Sequence, residues 1–141
     1  MRVFLDTETT GLDEDAQVVE IAVVDDEGDV LFESYCRPTV PVDPGAYEVH
    51  GIGPDVLANA PQWPDIVGKV REVLEGNEVV IFNAEFDTRI LVQTAAAHGD
   101  PAEWVRALDT CCAMYRAADV YGATNQYGTI SLINAARRAG I

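Results

Sequence analysis

Positive charge is what this sequence has least of. Nine Lys and Arg residues, of which only Lys69 is a lysine, stand against 24 Asp and Glu, giving the 141-residue chain a net charge of −15. Such a surface repels polyanions through its long-range field, which argues against a protein that coats nucleic acid. It leaves room for a nuclease, because bound cations reverse the local sign at one phosphate while the remaining surface stays acidic. An acid-rich, lysine-poor composition also suits a high-salt habitat, so the charge reports either habitat or partner. Long apolar runs are missing too. No stretch reaches the ~20 residues that cross a bilayer, and acids arrive by Asp6, too early for a secretory leader. The expected location is cytoplasmic, with no membrane partner. Cysteine is scarce: Cys36, Cys111 and Cys112 fit neither a disulfide framework nor a zinc spacing and are read as reduced thiols. What is abundant is core material, 48% hydrophobic, enough for one domain over residues 1–141.

Proline is unevenly spread, with six of seven between Arg37 and Pro64. That segment is expected to be extended loop and short turns. Before it, Arg2 to Leu5, Gln17 to Val24 and Val30 to Cys36 read as strands, the last two joined by the turn-rich Asp25-Asp26-Glu27-Gly28-Asp29. An antiparallel opening meander follows. Ile66, Val67, Val70, Val73 and Leu74 share one helical face, starting near Asp65 and stopped by Gly76-Asn77. Glu78 to Phe82 reads as a short buried strand, Ala84 to His98 as a helix, and Trp104 to Leu108 as a fifth strand. Asp109-Thr110 is expected to open a helix to about Ala118, and Ser131 to Ala139 to form the last. Strands alternating with helices after a meander imply an α/β fold, a mixed sheet with helices on its faces.

The chemistry concentrates at Asp6-Thr7-Glu8. Val3, Phe4 and Leu5 are apolar without alternation, so the first strand is expected to be covered on both faces. Asp6 and Glu8 leave it on one side, two residues apart. Two carboxylates so close repel, and a proton or a cation must relieve them. Oxygen-only surroundings favour Mg²⁺ or Mn²⁺. The plainer reading is a strand running out into solvent through a Thr9-Thr10-Gly11 turn. At the next strand-to-helix junction, Asn83-Ala84-Glu85-Phe86-Asp87 places a third carboxylate where ligand sites of open α/β sheets lie. Taken alone, Asn83 reads as an N-cap and Asp87 as a first-turn acid favouring the helix dipole.

In order along the chain, Phe4-Leu5-Asp6-Thr7-Glu8-Thr9-Thr10-Gly11-Leu12, Glu20-Ile21-Ala22, Val49-His50-Gly51-Ile52 and Phe82-Asn83-Ala84-Glu85-Phe86-Asp87 closely resemble the DEDD family of 3′→5′ exonucleases, in particular its proofreading epsilon-subunit type. The resemblance implies an RNase H-like five-stranded mixed sheet, antiparallel strands first and parallel strands after, flanked by helices. It implies that Asp6, Glu8 and Asp87 hold two divalent ions, Mg²⁺ or Mn²⁺. It places Thr9, Thr10, Gly11 and Leu12 on the pocket for the 3′-terminal nucleotide, His50 and Phe86 near that nucleotide, and Asn83 beside the second phosphate. The implied reaction is phosphodiester hydrolysis at a 3′ end, DNA favoured over RNA, by two-metal chemistry.

The family's third motif, a histidine or tyrosine four or five residues before a final aspartate on a C-terminal helix, has no counterpart. His50 and Asp55 have such a spacing, but Gly51, Gly53 and Pro54 exclude one helix. His98 reads as a helix-end cap. Tyr115 and Asp119 share a helical face but come too early, and Tyr121 and Tyr127 lack a suitably spaced aspartate. Phe82 stands where a polar residue often precedes Asn-Ala. The domain is therefore expected to be C-terminally incomplete, with its last helix missing and general base absent. Three readings stay open: an exonuclease body, an inactive relative that binds a nucleic-acid end or a protein partner, and an α/β domain using Mg²⁺ otherwise. Apolar surface left by the missing helix invites self-association or a covering partner.

Overall fold

Alternation along the first strand decides which way the motif side chains point. The computed structural model describes residues 1–125 and 129–140. In it β1 (Arg2–Thr9) runs through the whole Asp6-Thr7-Glu8 motif, beyond the expected end at Leu5. Val3, Leu5, Thr7 and Thr9 are buried on one face, while Arg2, Phe4, Asp6 and Glu8 project from the other. The expectation of a strand covered on both faces is corrected: Phe4 is 37% exposed. Three consecutive apolar residues had masked a half-covered strand.

β2 (Val18–Asp25) and β3 (Val30–Tyr35) complete the antiparallel meander. β4 (Glu78–Ile81) pairs parallel to β1, and β5 (Asp109–Cys112) parallel to β4, giving the order β3-β2-β1-β4-β5. The mixed five-stranded α/β sheet is as expected. Between β3 and β4 lie α1 (Pro44–His50), α2 (Pro54–Leu57) and α3 (Trp63–Leu74). After β4 come α4 (Ala84–Ala97) and α5 (Glu103–Arg106), and after β5 come α6 (Ala113–Tyr121) and α7 (Leu132–Arg138).

The main core joins the inner sheet face to α3 and α4. Val3, Leu5, Ile21, Val23, Val79 and Ile81 meet Ile66, Val70, Leu74, Ile90, Leu91 and Ala95. Burying each of the larger side chains stabilises by roughly 1.5–3 kcal/mol, so α4 cannot slide without losing several of these contacts. This is why its first turn is a rigid platform. A smaller cluster of Ala118, Ile130 and Ala135 ties α6 to α7.

Three expected elements change. The proline-rich segment holds two short helices, because Pro44 and Pro54 occupy first-turn positions where a missing N–H costs nothing. Trp104 to Leu108 is not a strand: Glu103–Arg106 forms one helical turn, with Trp104 Nε1 donating to Asp100 Oδ2 at 3.0 Å. A short apolar run does not distinguish strand from buried helix. The strand is the next segment, Asp109–Cys112, expected to be helical; β4 supplies its backbone partners from Glu78 to Ile81. The helix there starts only at Ala113. All three cysteines are free thiols, and no described helix is long and apolar enough to cross a membrane.

Candidate active site

Asp6 lies one residue past the last β1–β4 pair, Leu5 with Ile81, and Asn83 follows β4 directly. Both motifs thus sit at the carboxyl ends of adjacent parallel strands, where such sheets place ligands. Asp6 and Glu8 share the outer face of β1. Asp87, in the first turn of α4, is buried and approaches β1 from the inner side, where its Oδ1 accepts a hydrogen bond from the Thr7 hydroxyl at 2.5 Å. Each carboxyl is raised from its ordinary range. Burial lifts Asp6, partly offset by the Thr7 backbone N–H. Burial, then the Asp6 charge, lifts Glu8. Asp87 is pushed up to about 6, first by burial and then by the charges of Asp6 and Glu8, against the Thr7 hydroxyl.

These carboxylates feel one another, yet among the described residues no three His, Cys, Asp or Glu side chains are gathered closely enough to hold an ion as they stand. The donor chemistry nonetheless fits a hard divalent cation, since all donors are carboxylate oxygens whose mutual repulsion a cation relieves. Asp6 and Glu8 stand on the outer face with room to adjust. Asp87 does not.

Beside the carboxylates is a cavity of about 660 Å³ lined by Thr7, Glu8, Thr9, Gly11, Leu12, Asp13, Asp43, Gly45, Ala46, Val49, His50 and Phe86. It brings together six residues that the motifs nominate: Glu8, Thr9, Gly11, Leu12, His50 and Phe86. Thr10 is not on its wall. Its side chain is buried, its hydroxyl accepts from Gln17 N at 3.0 Å, and its carbonyl accepts from Asp43 N at 2.7 Å, so it fastens the loop from behind. Asn83 also lies off the wall; it is the N-cap residue of α4, and its carbonyl accepts from the N–H groups of Phe86 and Asp87.

His50 closes α1 and bridges it to the β1 exit. Its Nδ1 accepts from Ile52 N at 3.0 Å, so Nε2 is the protonated nitrogen of the neutral ring and donates to Thr9 O at 2.8 Å. Both ring nitrogens are engaged. Gly11 lets Asp43 approach closely: a Cβ there would lie 2.2 Å from Asp43 Oδ2, so any larger residue would push the Asp43 side chain aside. Asp43, Gly45 and Ala46 escaped sequence reasoning because they lie in the proline-rich segment, and Val49, though part of the Val49-His50-Gly51-Ile52 motif, was assigned no role. The signal was Asp43-Pro44, an N-cap followed by a first-turn proline, with Gly51 closing the helix in a left-handed conformation at φ 68°. Arg89 and Gln93 were missed as well. One turn apart on α4, they hold the loop: Arg89 donates to Leu12 O at 3.0 Å and Asp13 O at 3.2 Å, and Gln93 to Ala16 O at 2.8 Å. The Arg89 guanidinium also lies over the Phe86 ring, 5.4 Å from its centre.

His50 and Asp55 fall on separate helices, as expected from the glycines between them. His98 ends α4, about 17 Å along the axis from Asp87 by helical rise. Tyr115 is a surface residue of α6. Tyr127 lies outside the described residues.

The family profile described as Exonuclease matches residues 3–128. The chain belongs to the exonuclease family. Among its relatives, the uncharacterized exonuclease CP81 of Escherichia phage 186 is 36% identical over 99% of this chain and 75% of its own length. The DNA polymerase III epsilon subunit of Escherichia coli K12 is 34% identical over 61% of this chain, which spans 40% of that protein. In three dimensions, exonuclease X, solved with 5′-overhanging duplex DNA, superposes with a TM-score of 0.72 at 26% identity, covering 100% of this chain and 74% of that one. Product-bound exonuclease I gives 0.76 over 99% of this chain and 38% of that one, at 19% identity, a likeness of fold. The RNase H-like sheet of these exonucleases is the sheet described above, and the domain is a nuclease domain.

Proposed function

We propose that this exonuclease-family domain hydrolyses the terminal phosphodiester of nucleic-acid 3′ ends, DNA in preference to RNA, with Asp6, Glu8 and Asp87 holding two Mg²⁺ or Mn²⁺ ions. The observation that carries the reading is the junction of a nucleotide-sized cavity with the three mutually repelling carboxylates, Glu8 belonging to both. Leu12, Val49 and Phe86 offer apolar surface for a base and sugar. Glu8 stands where the cavity meets the metal-binding face, suited to the sugar end of a terminal nucleotide. The bound ions would supply hydroxide at neutral pH and stabilise the leaving oxygen. The protein's own part is to place the end: α1 and the Thr9–Leu12 loop are fixed by His50, Thr10 and Arg89 before substrate arrives. Duplex DNA in exonuclease X, and the epsilon relatives, support the preference for DNA.

A second reading, an end-binding module without hydrolysis, draws on His50. With both ring nitrogens engaged, it is not a free base. The deciding experiment uses oligonucleotides labelled at either end, with Mn²⁺. Stepwise shortening from the 3′ end, reduced at least about 10²-fold by Asp6→Ala, is the expected result. Tight binding of 3′ ends without any shortening would favour the module instead.

A further inference from the structure

We infer that Thr7, the residue between the two motif carboxylates, is a positioning residue that fixes the Asp87 carboxylate for metal binding, a role that rests on the metal-dependent reading above. Strand alternation turns Thr7 away from Asp6 and Glu8 and into the interior, where it is 8% exposed and Asp87 7%. There its hydroxyl donates to Asp87 Oδ1 across 80 residues of sequence. A carboxylate offers two acceptor oxygens, so this bond occupies one and leaves Oδ2 to serve a cation. Threonine is suited to the task because its β-branched side chain has few rotamers, and the hydroxyl is held where the strand places it.

The bond is not needed to dock α4. That helix is anchored at later turns by Thr94, whose hydroxyl accepts from Val18 N at 3.0 Å, by Gln93 and Arg89 on the loop, and by Ile90, Leu91 and Ala95 in the core. What remains for Thr7 is the orientation of one side chain. Groups that orient metal ligands commonly contribute about 10–100-fold in affinity.

The test is calorimetric titration of Mn²⁺ into the wild type, Thr7→Val, Thr7→Ser and Asp87→Asn, with thermal unfolding of each in EDTA. Thr7→Val should weaken Mn²⁺ binding by about 10–100-fold and Thr7→Ser should restore it to within about 3-fold, while each variant still unfolds in one cooperative transition without metal. If valine does not fold, Thr7→Ala gives the same comparison. Wild-type affinity in Thr7→Val, with binding lost in Asp87→Asn, would overturn the inference and leave the metal site standing. No Mn²⁺ binding by the wild type, or undiminished binding by Asp87→Asn, would overturn both.

Discussion

Asp87 sits in the first turn of α4, where burial pushes its carboxyl up to about 6 while Thr7 holds one oxygen. Its unfolded value is near 3.8. Between these values the native state binds more protons than the unfolded state, so stability falls as pH rises through that window. Without metal, the ionised carboxylate is thus a liability at pH 8. Asp87→Asn keeps an oxygen for Thr7 but carries no charge. In EDTA it should melt a few °C above the wild type at pH 8, with the gap closing towards pH 4, as followed by circular dichroism. A gap of the opposite sign at pH 8 would contradict the burial argument. Asp6, Glu8 and Asp87 were legible in the sequence as types and spacing. That Asp87 enters from the other side of β1 was not, because two faces of a strand look alike in a motif.

At the scale of elements, α4 both presents Asp87 and clamps the pocket loop. Arg89 and Gln93 reach the carbonyls of Leu12, Asp13 and Ala16 from one helical face. Arg89→Ala should speed hydrogen exchange in the loop around Gly11. It should also weaken oligonucleotide binding by roughly 5-fold, the equivalent of about one net hydrogen bond. Fluorescence anisotropy at fixed salt measures the second effect, and unchanged exchange and affinity would remove Arg89 from the loop's support. The helix itself was readable from its apolar spacing, and its partner loop was not. Carbonyl acceptors leave no trace in side-chain sequence. The same blindness explains β5: Asp109–Cys112 lacks a strand's usual composition, and its parallel pairing with β4 makes it one.

For the whole molecule, a net charge of −15 sets the response to salt. Three exposed ion pairs, Arg2–Glu78, Lys69–Glu72 and Arg71–Glu75, are described, and pairs of this kind offset little repulsion. Shortening the Debye length from about 10 Å at 0.1 M to about 3 Å at 1 M screens that repulsion. The melting temperature should therefore rise by several °C over this range, measured by scanning calorimetry, whereas a fall would show that the charges are already balanced locally. By itself the sequence determined the acidic surface, the α/β class with its opening meander, and the order of motifs that marks the exonuclease family, because composition, periodicity and spacing are local quantities. Only the tertiary structure decided that the outer side of β1 is half open, that α1 turns a proline-rich stretch into a pocket wall, and that Thr7 reaches Asp87. Those depend on which segments meet across the sheet, and contacts between residues 80 apart are fixed by packing, not by neighbours in the chain.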